Sequence, residues 1–241
     1  MRGIYKIVDT VIRIDSLHPD VHELCRNWRS EGEPELFITT TQADIDFERE
    51  KSDREALYEG LVPQYFEDGY LETLAVYRKL AVLMLDRDVL LFHGCVVAVG
   101  DEAYLFTAKS GTGKTTHVNL WLKNIPGAYI VNGDKPMLLL TEDGVIAYGT
   151  PWQGKEQYGC NTAVPLKAVC ILERAADNHI ERVTMGQVLT LLIQQAYRPK
   201  EAEKLRKTLS LVGQLGSRTA LYRLGCNMQD EAALVAYEGM K

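Results

Sequence analysis

Between residues 89 and 108 the chain runs as two apolar stretches, VLLFHGCVVAVG and AYLFTA, split at Gly100-Asp101. A Gly-Asp pair between strand-like runs predicts a hairpin. Directly after it, AKSGTGKTTHVNLWL is a small-residue turn that passes into a helical pattern carrying Val118, Leu120 and Trp121. AYIVNGD then reads as a strand ending in Asp134, MLLL and VIAYG as a pair about Asp143-Gly144, and KAVCILER as a further strand. The last third predicts helices near 185–197, 200–214 and 229–238, with TALYRL as a strand between the last two. Ahead of all this, 4–14 alternates as one strand, Asp15 to Trp28 reads as a short helix with Pro19 in its first turn, and 35–41 is a second strand. The stretch from Gln42 to Glu59 is polar and surface-facing, and Gly69 to Asp86 repeats apolar positions at helical spacing. A boundary near residue 85 divides the sequence into a small α+β N-terminal lobe, 1–85, and an α/β unit, 86–241.

Composition narrows the class. The 241 residues are 46% hydrophobic and 25% charged, which is ordinary for a globular protein. The formal charge of -6 argues against a nucleic-acid binder. Five scattered cysteines with no CxxC pair predict reduced thiols. Without a long apolar run for a leader or membrane span, a cytoplasmic protein with no membrane partner is expected.

The informative chemistry is Ala108-Lys109-Ser110-Gly111-Thr112-Gly113-Lys114-Thr115, which fits the phosphate-loop pattern GxxxxGK[ST] except for Ala108 in place of the first glycine. Small residues let the backbone curl so that amides face one concavity, and the following helix directs its positive end at an anion. Lys114 is then placed to reach the β- and γ-phosphates of ATP, and the Thr115 hydroxyl to ligate Mg2+. A carboxylate at a neighbouring strand end completes such a site, and Asp134 is the candidate, against the alternative of a turn aspartate. His18 and His22 invite a metal reading, but HxxxHE without a third ligand is better explained as a solvated helix start. His117 suits the site or the core equally, and Trp152 leans to the site over a hydrophobic plug.

The run from Leu90 to about Leu172 resembles the catalytic domain of HPr kinase/phosphorylase, which shares a phosphate-binding core with phosphoenolpyruvate carboxykinase. LLFHGCVVAV, LFTAKSGTGKTTH, YIVNGDKP and GTPWQGKEQ carry the likeness. It implies a phosphoenolpyruvate-carboxykinase-like P-loop core of mixed sheet with flanking helices. It further implies an ATP- and Mg-dependent kinase acting on a hydroxyl, a serine of a protein or peptide, with free serine or a metabolite as the alternative acceptor. A catalytically weak nucleotide-binding accessory protein is the reading from another class, and a homo-oligomer remains open. On that resemblance Ser110, Gly111, Thr112, Gly113, Lys114, Thr115 and Thr116 hold the triphosphate, Lys114 acts on the transferring group, and Thr115 and Asp134 hold magnesium. His93 matches a histidine near the family's active centre, and Lys155 is placed to approach the γ-phosphate or an anionic substrate. The chain departs from the family at Gly133-Asp134, where paired aspartates are expected. The base then falls to Asp134, Glu156 or His93.

Overall fold

The computed structural model describes residues 1–109 and 111–241, so the expected contact at Ser110 lies outside the described residues. The chain divides into two compact units, Met1–Leu83 and Met84–Lys241.

In the first unit, β1 (Arg2–Ile7) and β2 (Thr10–Asp15) form an antiparallel hairpin, where the alternation had predicted one strand. Val8 and Asp9 make the turn at φ 50° and 55°. A β-branched residue seldom takes a left-handed φ, so Val8 sends no turn signal. The short β3 (Leu36–Thr39) joins β2 in parallel. The helix expected over Asp15–Trp28 is cut to α1 (Asp20–Leu24), with Pro19 as its N-cap, followed by a 3-10 turn at Arg26–Trp28. The polar stretch is the 17-residue helix α2 (Gln42–Tyr58), which buries only Ile45 and Glu48. Its amphipathic partner is α3 (Asp68–Met84). Ion pairs from Arg78 to Glu48 (2.6 Å) and from Lys79 to Asp44 (2.8 Å) tie the two helices together. The α3 residue Glu72 is fully buried and accepts the amides of Leu17 (2.7 Å) and His18 (2.8 Å) together with the Thr40 hydroxyl, so one carboxylate joins three segments. Of the two histidines, His22 is structural: its ring lies 2.6 Å from the Tyr5 hydroxyl at Nδ1 and 2.8 Å from Ser16 Oγ at Nε2, leaving neither nitrogen for a metal.

The second unit is a mixed α/β layer structure. Among the described residues its strands are β4 (Val89–Leu91), β5 (Cys95–Val99), β6 (Glu102–Thr107), β7 (Ala128–Asn132), β8 (Met137–Leu140), β9 (Val145–Tyr148), β10 (Ala163–Arg174), β11 (His179–Arg182) and β12 (Ala220–Cys226). They form one sheet in the order β4-β8-β9-β10-β6-β5-β7, with β12 also pairing β10 and β11 pairing β12. The run VLLFHGCVVAVG is two strands: β4 pairs β8, while β5 pairs β6 and β7. The break falls at Phe92–Gly94, where a Cβ on Gly94 would sit 2.8 Å from the Phe106 carbonyl oxygen. The hairpin turn at Gly100-Asp101 is as expected, with Val99 opposite Glu102.

Four helices flank the sheet. One face carries α5 (Met185–Gln195) and α6 (Ala202–Arg218), whose Val188, Leu192, Leu211 and Leu215 pack on Val96, Leu105, Val169 and Ile171. The other carries α4 (Lys114–Asn124) and α7 (Glu231–Met240), whose Val118, Trp121, Ala233 and Ala236 pack on Val97, Tyr104, Phe106 and Cys170. Successive strand residues therefore bury on opposite faces, which is why these strands read as continuous apolar runs. No helix among the described residues is long and apolar enough to cross a membrane.

Candidate functional site

Topology gathers the site. Strand β5 is antiparallel to both β6 and β7, so the C-terminal ends of those two strands lie at one edge, beside the residues that lead into β5. Strand β10 runs parallel to β6, with Ile171 level with Thr107, so its end at Arg174 reaches the same edge. His93, the glycine turn, Asp134 and Arg174 converge there from four chain segments.

The turn enters α4 through glycines in left-handed geometry, Gly111 at φ 75° and Gly113 at φ 119°. Side chains are strained at both, which accounts for the glycines. Ala108, in the blemished first position, is wholly buried and is not among the residues with positive φ, so its methyl packs into the core without strain. The first bond of α4 runs from the His117 amide to the Gly113 carbonyl, 3.0 Å, so the amides of the first turn precede the helix ladder and lie at its positive end. One detail differs from the expected cradle. The Thr112 amide turns inward to the Lys109 carbonyl (3.3 Å), with the Thr112 hydroxyl on the same oxygen at 2.9 Å. Arg174 donates through Nη2 to the Gly111 carbonyl (2.5 Å) and through Nε to the Thr112 carbonyl (3.3 Å). The C=O and N–H of a trans peptide point opposite ways, so this grip turns the Gly113 amide away from the Arg174 guanidinium. Thr115 and Thr116 are exposed on the first turn.

Asp134 is fixed by its backbone. The buried Asn132 side chain donates to the Thr150 carbonyl and hydroxyl (3.2 and 3.1 Å), and its oxygen accepts the amides of Asp134 (3.0 Å) and Lys135 (2.7 Å). The Gly94 amide donates to the Asp134 carbonyl at 3.0 Å, tying the HG turn to the strand end. The Thr107 hydroxyl donates to the His93 carbonyl at 3.0 Å, and His93 Nδ1 lies 2.8 Å from Gln195 Oε1 at the end of α5. His93 Nε2 and Lys135 Nζ both approach Asp134 Oδ1, each at 3.3 Å. Burial alone would raise the Asp134 carboxyl, but the His93 hydrogen bond and the nearby Lys135 charge outweigh it and hold it below its ordinary value.

Lys114 is half-buried at the same edge. Its ammonium meets the Ala108 carbonyl at 3.4 Å, a long contact, and it lies within electrostatic reach of Asp134, Lys135 and Cys95. Desolvation lowers its affinity for a proton, only partly offset by Asp134. The Cys95 thiol, pushed up to about 12 chiefly by burial, is neutral and donates to the Gly133 carbonyl.

The loop after β9 folds back over the Asp134 turn. The Gly133 amide donates to the Tyr158 carbonyl (2.8 Å), and a Cβ on Gly154 would lie 3.1 Å from Asp134 Cβ. Lys155 and Glu156 are exposed in that loop, and among the described residues Lys155 forms no ion pair. Trp152, which the sequence leaned to as a site residue, is buried. His117 belongs to the core: its Nε2 accepts from Trp121 Nε1 at 3.1 Å, its ring packs on Phe106, and burial holds its pKa down to about 4. Lys135, Asn132 and Arg174 were not singled out from sequence. The lysine in NGDKP was visible there; the other two had no pattern to mark them.

Among the described residues no three His, Cys, Asp or Glu side chains gather to hold a metal by themselves. The hard oxygens of Asp134 and Thr115 suit magnesium arriving with phosphates, the usual manner of that ion. No family model matches the chain, and no curated protein does. Among solved structures it is similar to the HPr(Ser) kinase/phosphatase from Coxiella burnetii. The identity is 8%, the match covers 62% of this chain and 95% of that one, and the TM-score is 0.37. That likeness is distant.

Proposed function

We propose that the second unit binds the phosphates of ATP at the 108–115 turn and transfers the γ-phosphoryl group to a hydroxyl, a serine of a protein or peptide. The observation that carries this reading is the glycine turn between β6 and α4, with Lys114 sharing its edge of the sheet with Asp134 and His93. The hairpin feeding the loop supports taking the mixed sheet as a phosphoenolpyruvate-carboxykinase-like core.

Phosphoryl transfer asks for positioning and charge neutralisation more than covalent chemistry. The first-turn amides of α4 and the Lys114 ammonium bind the anion. Asp134 and the Thr115 hydroxyl would hold magnesium, which supplies further neutralisation of the phosphates when bound. His93 and Lys135 occupy Asp134 Oδ1 and orient the carboxylate, leaving its second oxygen toward an incoming hydroxyl. As a base it is weak, because those partners stabilise its charged form, so the hydroxyl proton leaves late in the transfer. Glu156, exposed in the covering loop, has no comparable setting.

Lys114→Ala should abolish ATP binding measured by calorimetry, and Asp134→Asn should abolish transfer from labelled ATP to serine peptides while leaving the fold intact by circular dichroism. Normal ATP affinity in Lys114→Ala refutes the phosphate site. Binding without turnover on any hydroxyl acceptor favours an accessory protein, a reading that the single carboxylate at Gly133-Asp134 makes worth testing.

A further inference from the structure

The charge of this edge is opposite to that of the chain. The protein carries a formal -6, yet the site sets two lysines, Lys114 and Lys135, about a single carboxylate, Asp134. Gly133 adds no second carboxylate, and Cys95 stays a neutral thiol. Before His93 is counted, the cluster has one positive charge in excess.

Neither ammonium is well satisfied. Lys135 Nζ stands 3.3 Å from Asp134 Oδ1, and Lys114 Nζ 3.4 Å from a carbonyl, both longer than the roughly 2.7–2.9 Å of a charge-assisted bond. The Lys135 backbone, by contrast, is held on both sides: its amide donates to Asn132 Oδ1 at 2.7 Å, and its carbonyl accepts the Thr150 hydroxyl at 2.7 Å. A fixed backbone with a loosely held, half-buried ammonium is the arrangement of a side chain kept for an incoming anion. Desolvated cations are costly until such a partner arrives. A lysine serving only to neutralise Asp134 would close to a short contact.

We infer that Lys135 is a second phosphate-gripping cation, which turns from Asp134 to a phosphate oxygen and together with Lys114 holds a triphosphate tail without requiring a divalent ion, while Asp134 keeps its contact with His93. This rests on the phosphate-site reading above. The ligand class is a linear polyphosphate end, whether carried by a nucleoside or free.

Calorimetric titration of the full chain with ATP and with inorganic tripolyphosphate, each in magnesium and in EDTA, tests the inference. Wild type should bind both ligands in EDTA. Lys135→Gln should weaken binding at least tenfold in EDTA but less than threefold in magnesium, and Lys135→Arg should retain most of the EDTA affinity; thermal melts confirm that each variant is folded. Wild-type binding only with magnesium, or equal EDTA affinities for wild type and Lys135→Gln, overturns the inference and leaves the phosphate site standing. No binding of either ligand in either buffer overturns both. Binding of ATP but not tripolyphosphate in EDTA also counts against it, because the base and sugar would then carry the affinity.

Discussion

At Gly133, where the sequence resemblance led us to expect an aspartate, the fold leaves little room for a side chain. A Cβ there would meet the Gln153 carbonyl oxygen at 2.9 Å, the Tyr158 carbonyl oxygen at 3.1 Å and Tyr158 Cβ at 3.2 Å. Two of those atoms are backbone and cannot swing aside as a side-chain tip does. Gly133→Ala must therefore displace the 153–158 loop, and with it the 2.8 Å bond from the Gly133 amide to Tyr158. Overpacking costs roughly 1–3 kcal/mol, and loss of one hydrogen bond roughly 0.5–1.5 kcal/mol. The sum, about 1.5–4.5 kcal/mol, corresponds to a fall in melting temperature of roughly 3–18 °C for a protein of this size. Gly133→Asp, which creates an aspartate pair, should lose at least as much, because the same Cβ now carries a carboxylate. Differential scanning calorimetry on wild type, Gly133→Ala and Gly133→Asp decides the matter. An alanine variant that melts with wild type would refute the steric account and make the missing aspartate a matter of chemistry alone.

His117 is neutral in the fold, with its pKa held to about 4, whereas an unfolded histidine titrates near ~6.5. Below that upper value the unfolded chain takes up a proton that the folded one refuses, so stability falls as pH drops from about 6.5 to 4, by roughly 3 kcal/mol in all. His117→Phe should flatten that part of a urea-denaturation pH series, and an unchanged slope would disprove the assignment. In the first unit, Glu72→Ala strips the acceptor from two half-buried amides and the buried Thr40 hydroxyl and should cost about 3 kcal/mol, whereas Glu72→Gln should lose less. Urea midpoints give the comparison, and an alanine variant within ~0.5 kcal/mol of wild type would contradict it.

Local signals in the sequence carried much of the second unit. Gly100-Asp101 marked the β5–β6 hairpin, the Gly111 and Gly113 positions marked the turn into α4, and the turn at 141–144 joins β8 to β9 as its pattern predicts. Those elements were legible because their determinants lie within a few residues: side-chain period, and glycine where the backbone must be left-handed. The mixed α/β class followed from the same order of elements. Legibility failed where the local signal was weak or contrary. Val8 turns a hairpin against its own preference, α2 is polar nearly all round, and β11 is four residues with three exposed. The strand run before the loop concealed a break at Phe92–Gly94, where β4 turns to pair β8 and β5 to pair β6 and β7.

The site's membership was a tertiary decision. Asp134 was legible as a strand-end carboxylate with Lys135 beside it in the chain, but its contact with His93 depends on β7 pairing with β5. Arg174 reaches the glycine turn because β10 lies parallel to β6, 62 and 63 residues away along the chain from the carbonyls it holds. Sequence spacing fixes what one segment can do. Which charges face one another is settled by how separated strands register, since electrostatic and hydrogen-bonding forces act over a few ångströms of space and take no account of distance along the chain.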